Sequence, residues 1–261
     1  MPRTGWHGLP RPVRAAVEAR TGPVVAAHPI PHGLTCATAA SLTTAQGTVF
    51  VKGVPLDHAE AREGQRWEAA INRYVRGVGP GLRWRVVAGG WELLGFEHID
   101  GRHADLSPGS TDLPLVADAL LAAQDLPSPR TVTVPRFEDR WARFLAAGTR
   151  ELLRGEALLH TDTNPHNLMV TDRRAYLVDW ATPALGPAWV DVAYTAVRLM
   201  EADCPRAEVL AWAARFPSWA SARPEALAAF VAAHCRRWEA TVGAAAARPS
   251  NARFAALLSL L

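Results

Sequence analysis

Asp162, Asn167 and Asp179 are the residues whose types and spacing invite a chemical reading. They lie in LLHTDTNPHNLMV, residues 158–170, and in AYLVDW, residues 175–180. Asn167 follows Asp162 by five positions, and Asp179 follows Asn167 by twelve. One acid able to accept a proton, with an amide and a second acid able to hold a hard cation, suits phosphoryl transfer from a metal nucleotide. The same stretch spells H-x-D-x-x-x-H through His160, Asp162 and His166. Imidazole with carboxylate also suits zinc or iron, so a metal-dependent hydrolase is the competing reading.

Lys52 adds a second, independent signal. Of the 28 Lys and Arg residues it is the single lysine, in a chain that otherwise uses arginine. The two cations are not interchangeable where a compact ammonium must fit between phosphates and a carboxylate.

These residues need elements to hold them. Apolar runs at 158–159, 168–170 and 175–178 read as strands, with the polar turn between the first two and Asp179 at the end of the third. Upstream, VVAAHPI, ATAASLTTA and TVFVKGV read as three antiparallel strands, with a turn at Gln46-Gly47 and Lys52 on the third. RWRVVAGG and WELLGFEHI supply two more, joined at Gly89-Gly90; the second is apolar on both faces and is expected to be buried. A helix is expected with Trp67, Ala70, Ile71, Tyr74, Val75 and Val78 in phase. Residues 1–22, broken by Pro and Gly, are expected to form a loosely held arm with a helical turn or two near Val13–Arg20. Beyond residue 110 the pattern is helical: one helix capped near Ser110–Asp112, one carrying Phe137, Trp141, Phe144, Leu145 and Leu152, and one from about Asp191. Others are expected at 206–215 and 224–242, with a last one after an Ala-rich break and Pro249.

The H-x-D-x-x-x-x-N spacing with a later Asp, in the form D-x-N-P-x-N followed by V-D-W, resembles the aminoglycoside phosphotransferase family of small-molecule kinases. The resemblance implies an α+β, two-lobed protein-kinase-like fold: an N-terminal lobe (1–98) with an antiparallel sheet plus a helix, and a mostly helical C-terminal lobe (99–261). It implies transfer of the γ-phosphoryl of ATP or GTP, with Mg2+, to a hydroxyl of a small molecule. Asp162 would be the catalytic base, Asn164 would face the γ-phosphate, and Asn167 and Asp179 would ligate Mg2+. Lys52 would hold the α and β phosphates and pair with Glu68, for which Glu60 and Glu63 are rivals. Gly33 and Thr35 fall where kinases carry a phosphate flap, though no G-x-G-x-x-G is present and a plain hairpin turn reads as well. Backbone groups of Glu97 and Ile99 would read adenine near the hinge. His160 would pack behind the loop, and Asp191 would accept amides from it. On this reading every motif residue has a task, whereas a hydrolase leaves Lys52, Glu68 and Asn167 idle; a catalytically weak nucleotide-binding pseudokinase is the third class.

Composition narrows the partners. At 261 residues roughly three quarters of the unfolded surface is buried on folding, enough for a substantial core. A net charge of +3 gives no reason to expect nucleic acid. No apolar run long enough for a membrane span occurs. Cys36, Cys204 and Cys235, odd in number and without C-x-x-C spacing, suggest reduced thiols in a cytoplasmic protein. From Val192 to Leu261 there are eight Arg against five acidic residues, which disfavours a polycationic acceptor.

Overall fold

A computed structural model describes residues 3–30 and 36–260. The chain runs α1 (Arg11–Thr21), β1 (Val24–Pro29), β2 (Thr38–Thr44), β3 (Gly47–Pro55), α2 (Ala59–Ile71), β4 (Leu82–Ala88), β5 (Trp91–Glu97) and β6 (Arg102–His103). It continues through α3 (Asp112–Gln124), α4 (Phe137–Arg140), β7 (Ala157–Leu159), β8 (Leu168–Val170), β9 (Ala175–Leu177) and β10 (Ala184–Gly186). Helices α5 (Trp189–Glu201), α6 (Arg206–Ala213), α7 (Pro217–Ala220), α8 (Pro224–Val242) and α9 (Ala244–Ala256) complete it. Two compact units result: residues 1–102 with 176–182, and residues 103–175 with 183–261.

The first unit is built on an antiparallel sheet of order β1-β2-β3-β5-β4. The strands lie where the sequence puts them, and β5, apolar on both faces, sits between β3 and β4 with Leu93 and Leu94 fully buried. Gly89 and Gly90 turn the β4–β5 hairpin at φ of +52° and +80°, a backbone that glycine enters without steric cost. The amino-terminal segment differs from the expected loose arm. It forms α1, and Trp6, Leu9, Val13 and Val17 join Leu42, Val49, Val51 and Leu93 in one buried cluster. Pro10 and Pro12, part of the reason for that expectation, stand before and inside the first turn, where a missing amide N–H costs nothing. Gly22, at φ +74°, ends the helix with its N–H on the Glu18 carbonyl.

Helix α2 ends at Ile71, short of the expected run to Val78. Asn72 uses its side chain to bond Pro80 O and Leu82 N, and Gly77 adopts φ +100°, so Val75 and Val78 are buried from turns instead. Residues 99–102 and 176–182 pack with this unit, although the sequence boundary at 98/99 assigns them to the second. The physical reason is local: Leu177 N–H donates to Val78 O, and a Cβ on Gly79 would stand 2.8 Å from Leu177 O.

The second unit is mostly helical. α5 buries residues around nearly its whole circumference, and Phe230 of α8 touches Phe137, Trp189, Tyr194 and Phe254. β7 pairs antiparallel with β10. The helix expected through Phe137–Leu152 is broken into the single turn of α4 and 3-10 turns at Ala142–Phe144 and Arg150–Leu153. Leu145 is extended and Gly148 sits at φ +78°, which no helix continues through. The expected Ala-rich break is instead the first half of α9, because alanine is the best helix former; Pro249 lies inside the helix. The break is at Gly243, φ +86°.

Candidate active site

In the first unit, three elements converge on Lys52. β3 aims its ammonium at Glu68 of α2, with which it forms an ion pair, and at Asp179 Oδ1, 2.7 Å away. The Lys52 and Glu68 side chains are 7% exposed and that of Asp179 is 25% exposed, so one edge of the cluster meets solvent. Burial opposes the ammonium charge, but Asp179 and Glu68 more than compensate and hold its pKa above the ordinary value. Burial raises Glu68 to about 7, with Lys52 pulling the other way. The rivals Glu60 and Glu63 are exposed on the outer side of α2. Asp179 holds φ +63°, an uncommon backbone for a residue other than glycine, and the indole of buried Trp180 donates to Leu177 O at 3.0 Å behind it. Cys36, a residue the sequence did not connect with this cluster, lies within the fields of Lys52, Asp179 and Glu68 with its thiol raised by burial.

Among the other expected nucleotide contacts, Gly33 and Thr35 lie outside the described residues. Glu97 ends β5, its N–H on Gly81 O and its carboxylate on Gly81 N. Ile99 follows outside the strand, and its backbone makes no hydrogen bond among the described residues.

In the second unit, β7 delivers the loop of residues 160–167. Asp191, in the first turn of α5, accepts the amides of His160 at 2.7 Å and Thr161 at 2.9 Å, as the resemblance implies. These bonds hold Thr161 at φ +67°, a position unfavourable for a β-branched residue. Burial raises the Asp191 pKa, opposed by His160 and the two amides. His160 is fully buried and its Nδ1 accepts the Asp162 amide at 3.3 Å, which is the packing role expected of it. The Asp162 carboxylate accepts from Asn164 Nδ2 at 2.8 Å on one oxygen and from Asn167 Nδ2 at 3.1 Å on the other. Asn164 therefore orients Asp162 here. The Thr195 hydroxyl donates to Asp191 O and shares a 2.8 Å hydrogen bond with the Thr163 hydroxyl, which tightens the same loop against α5.

Arg140 is a residue that sequence reasoning missed. Its guanidinium donates to Thr161 Oγ1 at 3.1 Å and to Pro183 O at 2.7 Å, clamping the loop from α4. No sequence signal distinguishes it among many arginines.

The hydrolase ligand set does not assemble. Among the described residues no group of three His, Cys, Asp or Glu could hold a metal ion, and His166 turns outward against the ring of His103. For Mg2+, hard oxygen atoms are present on the expected residues. Asn167 uses its nitrogen on Asp162, and its amide oxygen accepts no hydrogen bond among the described residues; Asp179 keeps a partly exposed carboxylate.

Residues 106–227 match the phosphotransferase enzyme family. Solved structures agree on the fold. A macrolide 2′-phosphotransferase from Brachybacterium faecium is 17% identical and superposes with a TM-score of 0.57 over 91% of this chain and 96% of its own. A choline kinase from Streptococcus pneumoniae, 11% identical, gives 0.58 over 92% and 97%. An aminoglycoside phosphotransferase from Streptomyces rimosus, solved with ADP and streptomycin, is 17% identical with a TM-score of 0.54 over 80% and 90%. No curated protein sequence matches the chain. The family match upholds the resemblance drawn from the Asp162–Asn167–Asp179 spacing, and the α+β fold is shared with these solved small-molecule kinases. No described helix is long and apolar enough to cross a membrane.

Proposed function

We propose that the protein transfers the γ-phosphoryl group of ATP or GTP to a hydroxyl of a small molecule. The observation that carries this reading is the buried Lys52–Glu68–Asp179 cluster. An ammonium whose charge is held by two carboxylates at a partly exposed edge is placed to bind phosphate oxygens, and it explains why this one lysine was kept in an arginine-rich chain. Asp162, oriented by two side-chain amides, would accept the acceptor's hydroxyl proton as the new P–O bond forms and the bond to the bridging phosphate oxygen breaks. Backbone groups at Glu97 and Ile99 would read the base. Gly33 and Thr35 would lie over the phosphates. Asn167 and Asp179 are the expected Mg2+ ligands, and the ion would neutralise phosphate charge. Filled lysine, base and metal positions argue for an active enzyme over a pseudokinase.

A screen of hydroxyl compounds for stimulated ATP or GTP hydrolysis tests the proposal, with mass spectrometry for a product heavier by one phosphoryl group. Activity should require Mg2+ or Mn2+ and be lost reversibly in EDTA. Stoichiometric zinc in the purified protein, with turnover of an ester or amide in the absence of nucleotide, would instead establish the hydrolase.

A further inference from the structure

The second unit carries an unusual concentration of arginine around two aromatic rings. Arg143 lies over Phe144 with its guanidinium carbon 4.5 Å from the ring centre, and Arg237 of α8 lies over Trp141 at 5.0 Å. Arg236 donates to Phe144 O at 2.7 Å. All three are exposed, and none of them forms an ion pair among the described residues. Acids close to them in sequence are engaged elsewhere: Asp139 with Arg150, Glu138 with Arg154, and Glu239 with Asn251. Arg140 adds a fourth guanidinium and ties this surface to Thr161, the residue before Asp162.

The aromatic floor continues inward. Trp141 stands 5.4 Å from the ring of His234, which stands 5.7 Å from Tyr194, one turn along α5 from Asp191. The Trp141 indole N–H is buried with no acceptor among the described residues. Burial raises the Tyr194 phenol, which also feels Arg237, Asp191, Arg140 and Asp162, so the patch and the loop of Asp162 share one neighbourhood. Burial with the charges of Arg237 and Arg198 lowers His234 to about 3, so its imidazole brings no positive charge of its own and the cationic character belongs to the arginines.

We propose that this surface, Arg140, Arg143, Arg236 and Arg237 around Trp141 and Phe144, binds the acceptor, and that the acceptor carries an anionic group, a carboxylate or a phosphate, beside a flat apolar body. The inference rests on the phosphotransferase reading, because Asp162 must act on the hydroxyl of the same molecule. Guanidinium groups pair with oxyanions in a planar, two-pronged geometry while stacking on aromatic faces, and this arrangement offers both. A polyamine would meet like charge.

Calorimetry with 4-(hydroxymethyl)benzoate, 4-(hydroxymethyl)benzamide and 4-(hydroxymethyl)benzylamine tests it, in the presence of Mg2+ and a nonhydrolysable ATP analogue. The three probes share a ring and a hydroxyl and differ in charge. The benzoate should bind about tenfold more tightly than the amide, and the amine more weakly still. High salt should shrink the preference. An Arg143→Gln/Arg237→Gln double variant, altered only at exposed positions, should lose it. Equal or tighter binding of the amide or amine, binding of none of the three, or a preference untouched in the double variant would overturn the anionic patch while leaving nucleotide binding intact. Failure of the ATP analogue itself to bind would overturn the phosphotransferase reading and this inference together.

Discussion

Replacing Lys52 with Met removes the ammonium while keeping most of the buried stem, so it separates charge from packing. On activity, losing a contact to the phosphates should cost roughly 3 to 4 kcal/mol of transition-state stabilisation, a hundredfold or more in kcat/KM. On stability, leaving buried acid without its cation typically costs about 3 to 5 kcal/mol. Here the cost depends on pH, because Glu68 can neutralise itself. Burial already lifts its pKa from an ordinary 4.5 to about 7 with Lys52 in place, and Lys52 is what restrains that rise. A carboxyl raised in the folded state contributes stability that is fully present below its unfolded pKa and lost as pH climbs through its folded pKa. In the wild type that loss is complete soon after pH 7. In Lys52→Met the folded pKa is higher, so the loss continues at about 1.4 kcal/mol per pH unit, and the variant's deficit should grow by roughly 2 kcal/mol between pH 7 and pH 8.5. Urea unfolding at pH 6, 7 and 8.5, for both proteins, measures it. A deficit that is flat across that range would refute the buried-pair account of Glu68, and wild-type turnover in the variant would refute the role of Lys52.

Asp162→Asn should preserve nucleotide and metal affinity while lowering the rate by about a hundred- to ten-thousandfold, whereas Asp179→Asn should weaken binding of the Mg2+ nucleotide itself; equal effects of the two in calorimetry would show the roles misassigned. Trp6→Ala should destabilise the protein by about 3 to 5 kcal/mol, since Trp6 is 5% exposed within the sheet cluster, and a shift under 1 kcal/mol in urea unfolding would mean that the amino-terminal segment is not part of the core. Asp191→Asn should cost activity through the loop: with the acceptor of the His160 and Thr161 amides weakened, kcat should fall while the KM for nucleotide holds, and an unchanged kcat would separate the strained Thr161 from catalysis.

Local signals in the sequence determined a good deal. Short apolar or β-branched runs placed β1 to β5, and the Gly89-Gly90 pair, whose two positive φ angles suit glycine, placed the hairpin between the last two. The Asp162–Asn167–Asp179 spacing, with a single lysine in an arginine-rich chain, pointed to the proposed phosphoryl transfer because that chemistry accepts few residue types. Tertiary structure decided what depends on partners distant in the chain. Glu68 rather than Glu60 or Glu63 pairs with Lys52, because only its face of α2 turns toward β3. The segment before Thr21 became core, because Val13 and Val17 find the strand residues Leu42 and Leu93, a match that no window of local composition contains. The apolar period expected of longer helices runs on past Ile71 and Arg140, where the helices end, since buried turns satisfy the same burial pattern as buried helices. Arg140 acquired its place at the Asp162 loop only through the packing of α4 against residues 161 and 183, where its guanidinium meets two acceptors from segments far from it in sequence.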